Sequence, residues 1–165
     1  AVLRQAGHAG RDCGDALMRA LFLVVLLLFP LTASASEEAF DHFLKRFDYD
    51  TRADMKVSSK QLLKLIEEKK AVLVDIRFPE ETKTWRMGFG LFIPLNELPK
   101  RLAELPKDKI IVTACPHKDR SSIAMAYLRT KGYNARYLTD GLIGLAETLR
   151  GDVAREFRED TGCCP

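Results

Sequence analysis

The sequence has few of the features that mark proteins that bind nucleic acids. Aromatic residues make up 8% of its 165 residues, and the formal net charge is only +3. Acidic and basic residues are mixed along the chain, whereas a nucleic-acid surface needs a basic patch. We therefore expect no nucleic-acid partner. Small anions suit the chain better, wherever its basic residues converge.

The sequence also lacks an apolar run long enough to span a membrane. The run from Ala20 to Leu31 falls short of the roughly 18 residues that a spanning helix needs, and Pro30 interrupts it. Arg19 precedes this run, and the small residues Ala33 to Ala35 follow it. This pattern predicts a secretory signal peptide over residues 18–35. We expect export to the periplasm or the extracellular space, with no stable membrane anchor after cleavage.

The sequence shows no internal repeat and no low-complexity segment, and its length suits one domain. Residues 1–17 precede Met18 and lack periodicity, so we interpret them as a non-native upstream extension. Residues 36–54 are predicted to form an N-terminal helix and a linker. The globular domain is expected over residues 55–151, and residues 152–165 are expected to form a C-terminal tail.

Cysteine is scarce, with four residues in the chain. Cys13 would leave with the signal peptide, so Cys115, Cys163 and Cys164 would remain. Three is an odd number, and at least one thiol is then free or pairs with another molecule. No second pair of ligands accompanies Cys115 and His117 at a spacing typical of a metal site. We predict no metal and no cofactor.

Short apolar runs alternate with segments of helical periodicity. This order predicts an α/β fold with a central parallel sheet of about five short strands, flanked by helices on both faces. In the helix predicted from Ser121 to Lys131, the inward residues are expected to be Ile123, Ala126, Tyr127 and Leu128. The runs assigned to strands are "AVLVDI", "GLFIP", "KIIVTA" and "ARYL", and the helices include "LNELPKRLAEL" and "LIGLAETLR".

The segment Cys115–Arg120, which we call the Cys115 loop, joins a buried strand to a helix. Inward amides, the positive end of the helix and the cations Lys118 and Arg120 would favour a thiolate there. Such a thiolate is a nucleophile that also attracts anionic substrates. The other interpretation is a buried, inert core thiol.

Three residues of the Cys115 loop complicate this prediction. Pro116 has no amide hydrogen to donate. Asp119 disfavours a thiolate unless it points outward or pairs with Arg120. His117 is either a catalytic base or a solvated loop residue.

Several motifs together resemble the single-domain rhodaneses over residues 57–150. The loop "CPHKDR" has the family's length, and "LVDIRFPEE", "IPLNELPKRLAELPKDKIIV" and "YLTDGLIGL" are similar to its other conserved segments. The resemblance implies a rhodanese-like domain over residues 55–151. It also implies that Cys115 takes sulfane sulfur from thiosulfate or polysulfide and passes it to a thiol or cyanide. Loop amides and Arg120 would hold the persulfide. Asp75 and Arg77 would help to order the loop, or would form a strand-end salt bridge that only shapes a turn.

The chain departs from the family pattern at several positions. Lys118 stands where the family usually has glycine, and Ser121 follows the loop. "WRMGFG", from Trp85 to Gly90, replaces the usual Gly-His-Ile-Pro-Gly-Ala. Trp85 and Arg86 are candidates to shape the mouth of the site, and the other interpretation of Trp85 is simple packing.

Three further interpretations remain open. A rhodanese fold can act as a sulfur carrier or docking module without turnover. Cysteine phosphatases and arsenate reductases are less well supported, because their loops are one residue longer. Cys163 and Cys164 either receive sulfur from Cys115, pair with it, or form an idle tail. The expected partners are small sulfur anions and a thiol acceptor, which could belong to a protein.

Overall fold

The computed structural model describes residues 34–162 of the chain. The chain divides into two compact units, 1–38 and 39–165, and the first contributes only residues 34–38 to the described part. The predicted upstream extension, the apolar run of the predicted signal peptide, Cys163 and Cys164 all lie outside the described residues. Export therefore stays a prediction. Within residues 34–162, no helix is both long and apolar enough to cross a bilayer.

The described residues form five strands, seven α-helices and two turns of 3₁₀ helix. In chain order they are α1 (Ser34–Lys45), α2 (Tyr49–Asp54), β1 (Lys56–Val57), α3 (Ser59–Glu67), β2 (Ala71–Asp75), α4 (Pro79–Thr84), β3 (Leu91–Phe92), the 3₁₀ turns Leu98–Lys100 and Leu102–Glu104, β4 (Ile110–Ala114), α5 (Asp119–Thr130), β5 (Ala135–Leu138), α6 (Gly141–Thr148) and α7 (Asp152–Thr161).

All five strands lie in one parallel sheet, in the order β1-β5-β4-β2-β3. The predicted α/β architecture is therefore confirmed. Strands β2 and β4 pair along their full length, from Ala71 opposite Ile110 to Asp75 opposite Ala114. The amide of Ile76 donates to the carbonyl of Ala114 at 3.0 Å, which extends this pairing past the strand end. The pairing brings the residues after Asp75 beside Cys115.

Buried apolar side chains cover both faces of the sheet, because successive residues of β2 and β4 point to opposite sides. On one face, Val74 and Ile111 pack with Ala124, Met125 and Leu128 of α5. The other face packs against α3, α6 and α7, whose buried residues there are Leu62, Leu63, Leu142, Leu145 and Phe157. The helices thus cover both faces, as predicted, and the carboxyl edge of the sheet is left for the site.

Helix α5 corrects the predicted inward face. Ile123 is 61% exposed, while Ala124, Met125 and Leu128 are buried, and Ala126 and Tyr127 are only partly buried. The buried positions, together with Ser121, follow the three- and four-residue spacing of one helical face. Leu128 is inward as predicted, and Tyr127 packs against the core from a partly buried position. The prediction was wrong for Ile123, and it overlooked the small Ala124, which packs in the core.

Other boundaries also differ from the sequence prediction. "LNELPKRLAEL" forms two 3₁₀ turns, and a helix, α2, stands where a linker was expected. Most of the expected C-terminal tail is instead the ten-residue helix α7. Phe157 of this helix is buried against Phe89, with their ring centroids 5.0 Å apart. The hydrophobic contact with Phe89 stabilises a helix whose sequence is otherwise mostly polar.

Candidate active site

Cys115 immediately follows β4 at the carboxyl edge of the sheet, and its side chain is fully buried. Helix α5 begins four residues later, at Asp119, so the last two residues of the Cys115 loop already belong to the helix. The hydroxyl of Thr113 donates to the carbonyl of Ser121 at 2.8 Å. Ser121 in turn donates through Oγ to the carbonyl of Lys118 at 3.0 Å. These two bonds tie the start of α5 to the end of β4.

The amino end of α6 holds the other side of the Cys115 loop. The amide of Leu142 donates to the carbonyl of Cys115 at 2.8 Å, and that of Ile143 donates to the carbonyl of Pro116 at 3.3 Å. Gly141 has φ +63°, and a Cβ atom there would lie 2.2 Å from the Pro116 oxygen and 2.3 Å from the His117 oxygen. The carbonyls of residues 115–117 therefore face α6. The carbonyl oxygens of residues 115–117 therefore do not point toward the opposite side of the loop.

The Cys115 sulfur lies beside a carboxylate. Its Sγ is 3.5 Å from Asp119 Oδ1, to which the thiol donates, and 3.6 Å from Ser121 Oγ. A hydrogen bond from the Arg120 amide lowers the pKa of Asp119, burial acts in the opposite direction, and the bond from Cys115 lowers the pKa further. Asp119 is thus ionised at neutral pH. Asp119 is an exposed residue, which is one of the two arrangements expected for it, yet its Oδ1 still lies beside the Cys115 sulfur.

Arg120 forms a bidentate ion pair with Glu81 of α4. Its two terminal nitrogens donate to the two carboxylate oxygens at 2.6 and 2.9 Å. This hydrogen bonding is the main cause that lowers the pKa of Glu81 to about 2, against a smaller effect of burial. The guanidinium carbon of Arg120 also lies 5.8 Å from the ring centroid of Phe78. Each terminal nitrogen of Arg120 therefore donates one of its two hydrogens to Glu81.

Sequence reasoning missed Glu81 as a site residue. The segment "FPEE" was recognised, but its pattern alone does not show which carboxylate faces the loop. The available signal was the helical first turn that Pro79 starts, in which Phe78 donates its amide to Glu81 Oε2 at 3.2 Å. Such a turn places the side chain of Glu81 back toward the carboxyl edge of the sheet.

Asp75 and Arg77 form a buried ion pair just after β2. Arg77 is completely buried and Asp75 is 7% exposed. Arg77 donates from Nε to Asp75 Oδ1 at 2.9 Å and from Nη2 to Oδ2 at 2.7 Å. Nη2 also donates to the carbonyl of Trp85 at 3.0 Å, and the guanidinium lies 4.0 Å from the Trp85 ring centroid. The pair therefore fixes the turn after β2 and the segment around Trp85.

Trp85 and Arg86 line a cavity of about 480 Å³ beside α4, together with Pro79, Thr82, Lys83 and Phe92. Arg86 also lines a neighbouring cavity of about 420 Å³ beside β3. Cys115 lines neither cavity. The structure thus brings Cys115, Asp119, Arg120 and Ser121 together and leaves His117, Lys118 and Asp119 exposed. Trp85 and Arg86 share a cavity that Cys115 does not line.

The family profile of the Rhodanese-like domain matches residues 58–147, which include both β2 and the Cys115 loop. The chain belongs to the rhodanese-like domain family. The match begins at the cap of α3 and ends in α6, so it contains every element that contacts the Cys115 loop. Helix α7 and the N-terminal helices α1 and α2 lie outside the matched residues.

Two relatives of this chain are named sulfurtransferases. A sulfurtransferase of Allochromatium vinosum is 37% identical over 70 residues, which is 42% of this chain and 65% of that protein. The match therefore spans less than two thirds of that relative's length. The thiosulfate sulfurtransferase GlpE of Pseudomonas syringae is 30% identical over 76 residues, covering 46% of this chain and 72% of the relative.

A solved structure supports the same assignment of the fold. The human single domain sulfurtransferase TSTD1 superimposes with a TM-score of 0.52 at 26% identity. The superposition covers 56% of this chain and 96% of the human protein. The rhodanese relatives support a function of the sulfurtransferase type, whose substrates are sulfur compounds and thiol acceptors in general.

Proposed function

We propose that this rhodanese moves sulfane sulfur from thiosulfate or polysulfide to a thiol or cyanide acceptor through a persulfide on Cys115. The observation that carries the proposal is the position of Cys115 in the loop between β4 and α5. The loop carbonyls of residues 115–117 face α6. The partial negative charges of these carbonyl oxygens therefore point away from the side on which the negative charge of a persulfide has to be stabilised.

The reaction would proceed in two displacements at sulfur. The Cys115 thiolate attacks the outer sulfur of thiosulfate, a new S–S bond forms, and sulfite leaves with the electrons of the broken S–S bond. An acceptor thiolate or cyanide then attacks the outer sulfur of the persulfide. The Cys115 thiolate leaves with the electron pair, and the product is an organic persulfide or thiocyanate. Cys115 acts as the nucleophile and then as the leaving group.

A sulfur carrier or docking module is the second candidate, and the closed surroundings of the sulfur favour it. Cys115 is fully buried, and its thiol donates to Asp119 and lies near Ser121. A donor has to displace part of this arrangement before it reaches the sulfur. A protein that loads and unloads only when a partner opens the loop would show little turnover with free small molecules.

Steady-state assays with free substrates distinguish the two candidates. The purified protein, reduced and freed of reductant, is mixed with thiosulfate or polysulfide and with cyanide, and thiocyanate is measured. We expect multiple turnovers per molecule, at a rate that rises with both donor and acceptor. Formation of no more than one thiocyanate per protein molecule would contradict the enzyme and support the carrier.

A further inference from the structure

The charges around the Cys115 sulfur are balanced, although the sequence predicted an excess of positive charge. The Cys115 loop supplies two cations, Lys118 and Arg120, and one anion, Asp119. Glu81 supplies a second anion and accepts one hydrogen bond from each terminal nitrogen of Arg120. The formal charges of these four groups sum to zero, so their net charge does not favour a multiply charged anion.

Asp119 is an exposed residue whose carboxylate lies beside the buried sulfur of Cys115. Its Oδ1 atom is 3.5 Å from the Cys115 sulfur and accepts a hydrogen bond from the thiol. A donor that reaches the sulfur therefore comes close to the Asp119 carboxylate. Asp119 is thus a fixed negative charge that repels an incoming anion.

We propose that Asp119 sets the donor specificity of the Cys115 site, so that sulfur donors with one negative charge are favoured over dianions such as thiosulfate. This inference rests on the proposed sulfur transfer and narrows its donor class. Organic persulfides and thiosulfonates are donors of the favoured kind. Coulomb repulsion from one fixed charge is twice as large for a dianion as for a monoanion at the same distance. Asp119 therefore discriminates by charge.

The test compares two sulfur donors that react by the same displacement at their outer sulfur. Thiosulfate is a dianion and releases sulfite, whereas the methanethiosulfonate anion carries one charge and releases methanesulfinate. In each case the Cys115 thiolate attacks the outer sulfur, and the leaving group takes the electrons of the broken S–S bond. The value of kcat/KM for each donor, with cyanide as the acceptor, reports on this first displacement.

The informative variant is Asp119→Asn, which removes the charge and keeps the shape. At a separation of about 6 Å in water, loss of one negative charge should raise kcat/KM about tenfold for thiosulfate and about threefold for methanethiosulfonate. The ratio of the two values should thus rise about threefold. Glu81→Gln is a second variant, for use if Asp119→Asn disturbs the first turn of α5. It removes a negative charge and frees Arg120, so it should also raise the ratio of the two kcat/KM values.

Asp108→Asn is the matched control, since it changes the net charge of the protein equally. Asp108 is exposed and precedes β4, whereas Cys115 follows β4 at the opposite edge of the sheet. The ratio should not change in this variant. Equal effects of Asp119→Asn on both donors, or an equal shift of the ratio in Asp108→Asn, would overturn the inference. If the wild-type protein transfers sulfur from neither donor, the proposed function itself falls, and the inference falls with it.

Discussion

Replacement of Gly141 by alanine should lower the rate of sulfur transfer by about 100-fold, the size of effect that a displacement of about 1 Å can have on a reacting group. The added Cβ would lie 2.2 Å from the carbonyl oxygen of Pro116 and 2.3 Å from that of His117. Both atoms belong to the backbone and cannot rotate away. The Cys115 loop therefore has to move away from α6, and the bond from Leu142 to the Cys115 carbonyl is weakened.

Gly151→Ala is the control for backbone strain at Gly141. Gly151 has φ +56°, close to the +63° of Gly141, but nothing lies within 4 Å of a Cβ atom there. Both variants bear the cost of an alanine at positive φ. Gly151, with ψ −128°, lies outside the left-handed helical region, so the strain at the control is no smaller than that of a left-handed alanine. Only Gly141→Ala should also lose activity, as measured by turnover and by the rate of persulfide formation under conditions in which both variants are folded. Equal activity in the two variants would show that the contact with the loop does not matter.

Replacement of Arg77 by alanine should destabilise the protein by about 3–5 kcal/mol, because it leaves the buried carboxylate of Asp75 without its partner. Arg77 is completely buried and makes three hydrogen bonds to Asp75 from its side chain. Its loss also removes the support under the Trp85 ring and carbonyl. Urea unfolding of the wild type and the variant measures the difference as a shift of the midpoint.

Two further variants show whether the loss of stability in Arg77→Ala comes from burial of the Asp75–Arg77 pair or simply from loss of an arginine. Arg150 pairs with Glu147 on the exposed surface, so Arg150→Ala should change the stability by no more than about 1 kcal/mol. Combining Asp75→Asn with Arg77→Met removes both charges and should cost less than Arg77→Ala alone. If Arg77→Ala unfolds at the wild-type midpoint, water solvates Asp75 and the pair does not stabilise the fold.

The sequence was sufficient to predict the parallel sheet because its central strands are unambiguous. The runs that became β2 and β4 are short, apolar and β-branched, and they are buried on both faces. Elements at the margins were harder to predict. Helix α7 has a mostly polar sequence and depends on the contact of Phe157 with Phe89, which is distant in sequence. Periodicity within a segment carries no information about such a contact.

The sequence indicated the position of several candidate residues but not the electrostatics around them. Cys115, Arg120, Asp75 and Arg77 were singled out from strand ends and from the family resemblance, and Asp75 and Cys115 lie at the carboxyl ends of the paired strands β2 and β4. The role of Glu81 depends on how α4 packs beside α5, and the position of Asp119 depends on its rotamer. Counting charges along the Cys115 loop predicted a cationic site. The structure places one carboxylate against the sulfur and another against the arginine, so the charges balance.

The central claim is that Cys115 carries sulfur, and the intact mass of the protein tests this claim most directly. The reduced protein is exposed to thiosulfate, polysulfide or methanethiosulfonate, freed of donor and compared with Cys115→Ser treated in the same way. We predict that the wild type gains the mass of one sulfur atom, that cyanide removes it as thiocyanate, and that the variant gains none. A folded, reduced wild-type protein that gains no sulfur from any of the three donors, or a Cys115→Ser variant that gains as much as the wild type, would contradict the account.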